Sequence, residues 1–288
     1  MNTAKPCLIA VMGPTGAGKS SFISSLAPGA AKVGHKLVSC TAEVHLVEAN
    51  IDGVHCILID TPGFDDTRHS DTNTLRLIAN FLEISYKEQQ LLSGIIYFHR
   101  ISDNRVGGVT AKNMRMFRSL CGDEALDHVV LCTTMWDRVD HVEAEQREAE
   151  LKEDFWREML AAGSVAVRHD NSRESALAIV RPLLGRKGVA VKLQEELANG
   201  VPLNDTAPGA QLNTELRKLQ EIHKREMQTL REEMERASGA KLRQLEGELK
   251  EESTMLRRAQ EEQRRLLMER TSEIDRLKNE LKQKKRGC

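Results

Sequence analysis

Residues 13–20 run Gly13-Pro14-Thr15-Gly16-Ala17-Gly18-Lys19-Ser20, a G-x-x-x-x-G-K-S pattern. These residue types at this spacing suit one task, the holding of phosphate. Glycines let backbone N–H groups close around phosphate oxygens, and a helix starting at the end of the loop adds a favourable dipole. Lys19 supplies a point charge for β- and γ-phosphates, and Ser20 supplies an oxygen for Mg²⁺. The candidate phosphate contacts are Gly13, Thr15, Gly16, Ala17, Gly18, Lys19, Ser20 and Ser21. A second cluster, Asp60-Thr61-Pro62-Gly63, stands some 40 residues on. An acidic residue closing a buried strand can hold Mg²⁺, usually through water. Gly63 lets its backbone N–H approach a γ-phosphate with no side chain in the way.

Both clusters need a strand behind them. Cys7–Met12 is an unbroken apolar run and reads as a buried strand, with Ser21–Leu26 able to open a helix after the loop. Glu43–Ala49 alternates as a half-buried strand does. Asp52-Gly53 is a hairpin signal, and Val54–Ile59 reads as the returning strand that delivers Asp60. Helical spacing over 72–91, a strand at Gly94–Phe98, a helix at 110–121 and a strand at His128–Thr134 follow. A long charged helix over 141–162, a strand at Val165–Arg168 and a last helix over 173–198 complete the pattern. Alternating strands and helices imply a mainly parallel sheet covered on both faces, with one antiparallel pair near its start.

Composition divides the chain. The last aromatic residue is Trp156, and the stretch after Ala210 has no Pro and only three Gly, so it is poorly equipped to build a globular core. Residues 199–210 read as a linker. Residues 211–286 carry a 3-4 spaced stripe through Leu212, Leu216, Leu219, Leu230, Leu242, Leu245, Leu249, Leu256, Ala259 and Leu266. After a register shift it runs on through Ile274, Leu277 and Leu281. Polar seam positions such as His223, Glu226, Glu252 and Gln263 make this a coiled coil of modest apolar quality, with a single exposed helix as the competing reading. A formal net charge of −1 argues against a general nucleic-acid binder. Six cysteines without a C-x-x-C pair fit buried thiols in a reducing compartment, and a cytoplasmic location is expected. No run of 18 apolar residues suggests a transmembrane segment. The basic run Lys282–Arg286 before Cys288 reads as a solvated helix end, since it is no C-a-a-X signal.

The order of loop, hairpin and Asp60-Thr61-Pro62-Gly63-Phe64-Asp65-Asp66 resembles a GTPase of the translation-factor-like P-loop class. Within that class it resembles the septin, GIMAP and chloroplast-import-receptor branch. The likeness spans roughly residues 5–185. It implies an α/β P-loop NTPase three-layer sandwich over residues 1–198, the G domain, with GTP or GDP and Mg²⁺ as cofactors. It also implies a threonine that closes over Mg²⁺ and the γ-phosphate. Thr41 matches that role and Ser39 is the alternative. A base-reading [NT]-K-x-D element corresponds to Thr134-Met135-Trp136-Asp137, where Asp137 would accept from guanine N1–H and the 2-amino group. Met135 departs from the family lysine and can reproduce its apolar contact but not its hydrogen bond. The last family loop falls at Arg168-His169-Asp170-Asn171-Ser172, with His169 or Asn171 as base contacts.

No glutamine follows Gly63, so slow intrinsic GTP hydrolysis is expected, with Lys19, Thr41 and Gly63 doing the positioning. Relatives that pair through their nucleotide faces can present an arginine across the interface, and Arg100 and Arg105 are the candidates here. The expected protein is a GTP-binding switch or scaffold that forms a homodimer through the G domain, the coiled coil, or both. Two readings compete: an ATP-dependent P-loop enzyme, and a structural coiled-coil protein that binds nucleotide without turnover.

Overall fold

The computed structural model describes residues 5–28, 44–65, 70–103 and 108–286, with backbone alone for residue 109 and residues 269–286. Two compact units divide the chain, residues 1–201 and 202–288.

The first unit is built on six strands, β1 (Cys7–Met12), β2 (His45–Ile51), β3 (Val54–Asp60), β4 (Gly94–Arg100), β5 (Val129–Thr134) and β6 (Val165–Arg168), in the order β2-β3-β1-β4-β5-β6. All neighbours run parallel except β2 and β3. Asp52 (φ 50°) and Gly53 (φ 84°) make the tight turn of that hairpin, and Gly53 N–H donates to Asn50 Oδ1 at 3.0 Å. Alternation along β1 sends Cys7, Ile9 and Val11 to one face. There they pack with Phe22, Ile23 and Leu26 of helix α1 (Lys19–Leu26) and with Ala176, Ile179 and Val180 of α6 (Arg173–Val180). On the other face Tyr97 of β4 lies 4.5 Å, centroid to centroid, from Phe117 of α3 (Gly108–Cys121). Helix α2 (Asp71–Lys87) starts on a Ser70 cap whose side chain accepts from Asn73 N–H.

Two expected helices differ. The helix expected over 141–162 is broken into α4 (His141–Glu150), a π turn (Leu151–Phe155) and α5 (Arg157–Ala161). Trp156 N–H reaches back to Leu151 O at 2.7 Å, and the added residue turns the fully buried indole into the core. The helix expected over 173–198 stops at Val180, because Pro182 and Gly185 (φ 71°) cannot continue it. The chain then makes a short antiparallel bridge from Val189 to Leu92 and resumes as α7 (Lys192–Ala198).

The second unit is a helical hairpin. Helix α8 (Ala207–Met234) begins inside the segment expected as linker, with Thr206 capping Gly209 N–H and Pro208 in the first turn. A turn through Gly239 (φ 63°) reverses the chain into α9 (Ala240–Arg286). The two helices run antiparallel. Gln263 donates to Asn213 at 2.7 Å, Gln220 donates to Gln263 at 2.8 Å, and His223 pairs with Glu252 at 2.6 Å. Leu212, Leu216, Leu245, Ala259 and Leu266 of the expected stripe are buried, while Leu219 is exposed. Among the described residues no helix is long and apolar enough to cross a membrane.

Candidate nucleotide-binding site

The glycine loop joins β1 to α1 at the carboxyl end of the sheet. Gly13 (φ 138°) presses on the next strand, where an added Cβ would lie 2.5 Å from Phe98 O. Gly16 (φ 78°) and Gly18 (φ 93°) supply the left-handed turns before the helix, and Gly18 is its N-cap. Ala17 and Lys19 are buried, while Thr15, Gly16, Ser20 and Ser21 form an exposed lip. The Lys19 ammonium donates to Gly13 O at 3.0 Å and Pro14 O at 2.8 Å. These carbonyls hold the charge over the loop.

The parallel register of β1 and β3 sets Asp60 beside Val11, so both clusters emerge at one sheet end. Ser20 Oγ donates to Asp60 Oδ2 at 2.7 Å. Thr61 fastens the start of the next loop by donating to Val11 O at 2.8 Å. Gly63 sits against the first loop, where an added Cβ would collide with Thr15 and lie 2.6 Å from its backbone N. Thr15 N–H donates to Phe64 O at 3.1 Å, and the Phe64 ring is fully buried.

A network that sequence reasoning missed holds the segment after Gly63. Asp65 takes a left-handed φ of 61° and its N–H donates to Asp71 Oδ1 at 2.9 Å. Lys112 donates to both Asp65 and Asp71, and Asn113 donates to Asp65. Burial raises the Asp65 carboxyl, with Lys112 opposing. Burial works against the Lys112 ammonium too, but the Asp71 and Asp65 charges raise it. The only local signal was a Ser70 cap beside acidic and basic residues.

At the far side of the sheet end, Thr134 is buried and donates to Ala17 O at 3.0 Å and His99 O at 3.3 Å, so its hydroxyl braces the phosphate loop. Met135 (φ 62°) extends its methyl towards Gly18, 3.9 Å from an ideal Cβ there. Asp137 is exposed in the single turn Trp136–Arg138. Arg168 stacks 4.2 Å over the Trp136 ring while its guanidinium grips Glu148 at 3.0 and 2.6 Å. This clamp was absent from the sequence reading. Asn171 (φ 66°) is exposed in the loop after β6. His169 is buried, with Nδ1 2.7 Å from Ser175 Oγ and its ring edge-on to Phe22, so it supports the loop and presents no edge to a base.

Arg100, at the end of β4, folds onto its own phosphate loop. It donates to Thr15 O at 3.3 Å and pairs with Asp103 at 3.0 Å. Thr41, Ser39 and Arg105 lie outside the described residues.

Residues 8–149 match the family model described as 50S ribosome-binding GTPase. A comparison with curated protein sequences finds no match. Among solved structures the chain is similar to Toc33 from Arabidopsis thaliana in complex with GDP and Mg²⁺, at 19% identity and TM-score 0.51. That likeness covers 65% of this chain and 88% of that one. The Toc33 complex with Mg²⁺ and GMPPNP gives TM-score 0.50 at 19% identity with the same coverage. A dimerization-deficient mutant of Toc33 gives 0.51 at 18%, again covering 65% of this chain and 88% of that one. At these identities the likeness is one of fold. The loop motifs, the strand order with its single antiparallel edge, and the family match agree, and the chain carries a P-loop GTPase domain.

Proposed function

We propose that this protein is a guanine-nucleotide switch or scaffold whose G domain binds GTP and GDP with Mg²⁺ and hydrolyses GTP slowly. The observation that carries the reading is the Ser20–Asp60 contact, a hydroxyl and a carboxylate brought together 2.7 Å apart beside the buried Lys19. Two hard oxygen donors at a phosphate loop suit Mg²⁺. Ser20 and Asp60, with Thr41, would hold that ion, which neutralises charge on the β- and γ-phosphates when bound.

The remaining roles belong to the protein. Backbone N–H groups of the loop from Gly16 to Ser21 cradle phosphate, and Lys19 adds its charge. Gly63 N–H faces the γ-phosphate. Asp137 reads guanine, Met135 lies along the base in place of a lysine, and Asn171 closes the base end. Slow turnover follows from what stands after Gly63. Phe64 is buried and Asp65 is held by Lys112 and Asn113, so neither side chain is available to orient an attacking water. The reported complexes of Toc33 with GDP and with GMPPNP support the ligand class.

The existence of a dimerization-deficient Toc33 mutant supports pairing of G domains here as well. Arg105 is the candidate to cross that interface, and Arg100 acts in its own chain. The helical hairpin is read as an antiparallel coiled coil that serves as an interaction tail. Four buried free cysteines, Cys7, Cys56, Cys121 and Cys132, accord with a cytoplasmic location.

Calorimetric titration of the full chain with Mg²⁺-GTP and with Mg²⁺-ATP tests this. Binding of GTP alone is the expected result. Equal binding of both nucleotides, or of ATP alone, would replace it with the ATP-dependent reading.

A further inference from the structure

At the amino end of the sheet, opposite the glycine loop, two cysteines stand side by side. Cys7 opens β1 and is the register partner of Cys56 on the parallel strand β3. Neighbouring strands lie about 4.8 Å apart, inside the Cα separation of about 4.4–6.8 Å that a disulfide spans. Direct partners on parallel strands point to the same face. Cys7 Sγ donates to Leu183 O at 3.7 Å and Cys56 Sγ to Val54 O at 3.5 Å, so neither sulfur is tied up in a strong bond. The neighbouring Cys56 lowers the Cys7 thiol against the effect of burial, and Cys7 with burial raises Cys56.

Access is one-sided. Cys7 lines a cavity of about 490 Å³ whose wall includes Lys5, Ser93, Gly185, Arg186 and Lys187. Cys56 does not line it and is fully buried. Three cationic side chains around the cavity favour an anionic sulfur. Cys121 and Cys132 are equally buried, but burial alone raises their thiols.

We propose that Cys7 and Cys56 form a peroxide-reactive dithiol, with Cys7 as the attacking sulfur and Cys56 as the resolving one. The Cys7 thiolate attacks a hydroperoxide that enters through the cavity. An S–O bond forms, the O–O bond breaks, and the departing alkoxide or hydroxide leaves as alcohol or water after taking a proton. Cys56 sulfur then attacks the sulfenic sulfur. The S–S bond forms, the S–O bond breaks, and hydroxide leaves as water with the Cys56 proton. Two thiols lose two protons and two electrons, and one hydroperoxide takes them up to give an alcohol or water and a second water. This chemistry is independent of the nucleotide reading, since it uses the other end of the strands.

The test is peptide mapping of the full chain after native treatment with hydrogen peroxide, removal of the peroxide, and blocking of free thiols with N-ethylmaleimide present during unfolding in denaturant. The expected result is a Cys7–Cys56 linked peptide pair lighter by two hydrogens, with Cys121 and Cys132 recovered as blocked thiols. In a Cys56→Ala variant, Cys7 should accumulate as a sulfenic acid that dimedone captures. In Cys7→Ala, Cys56 should stay reduced. Recovery of Cys7 and Cys56 as blocked thiols in the wild-type chain, or of Cys7 bonded to any other cysteine, would overturn the proposal. The wild-type mapping decides it even if a variant fails to fold.

Discussion

Ser20 donates a 2.7 Å hydrogen bond to Asp60, 40 residues later in the chain, and so joins the first turn of α1 to the end of β3. The contact exists because β1 and β3 run parallel with Val11 beside Asp60, so two loops that are distant in sequence leave the sheet together. Replacing Ser20 by Ala removes one of the oxygen donors proposed for Mg²⁺ while leaving the loop backbone intact. A hydrogen bond to a charged group contributes about 1.5–3 kcal/mol, so GTP affinity should fall about 10–100-fold in Mg²⁺. With EDTA present the wild type and S20A should converge. Calorimetry with and without the chelator separates the two cases, and an equal loss in both would mean that Ser20 acts on phosphate directly.

Asp137 is exposed and carries the proposed base recognition. Asp137→Ala should weaken GTP binding by about 100-fold or more and leave weak ATP binding unchanged, because a site that hydrogen bonds a base edge loses its selectivity with that group. Competition between GTP and ATP for the variant is the measurement. Met135→Lys should leave the preference for guanine in place, since Met135 already lies by Gly18.

Gly13→Ala is expected to destabilise the first unit. The Cβ would meet Phe98 O at 2.5 Å, and φ of 138° is strained for any L residue. Strain of this kind costs about 1–3 kcal/mol, so thermal unfolding should shift down by several degrees. A change that spared stability and removed only nucleotide binding would show that the loop moves away from β4 freely.

His99 sets an acid limit. Burial lowers its imidazole to about 4 from an ordinary 6.5, and Nδ1 has no hydrogen-bond partner. Between these values the unfolded chain binds a proton that the folded one refuses. Stability is therefore complete above pH 6.5 and falls as the pH drops towards 4, by up to about 3 kcal/mol. His99→Phe keeps an aromatic ring next to Trp156, which lies edge-on at 6.1 Å. Urea unfolding at pH 7 and pH 4.5 should show a smaller loss for the variant than for the wild type.

The glycine loop, Asp60, the Asp52-Gly53 hairpin and all six strands were legible, because each depends on local residue types: apolar runs for strands, glycine for positive φ, an acid at a strand end. What was not legible depends on partners far away in sequence. Nothing near Arg168 announces that it will stack on Trp136 and bind Glu148, and nothing near Lys112 announces Asp65 and Asp71. His169 reads as a base contact until the sheet buries it against Phe22. The charged stretch 141–162 has helical spacing throughout. Its break appears only once Trp156 must enter the core. Pro182 was visible, but helical periodicity on both sides of it masked the stop.

The clamp at the base end has an optical consequence. The chain has two tryptophans. Trp136 is half-buried under Arg168 and adjacent in sequence to Asp137, whereas Trp156 is wholly enclosed, edge-on to His99. Their fluorescence should therefore separate into two channels. Trp136 emission should answer to occupancy of the base end, with quenching by iodide reporting how open that end is. Trp156 emission should stay blue-shifted and shielded until the domain itself opens. A single unlabelled sample, with one tryptophan changed to Phe at a time, would then read ligand and integrity as independent signals.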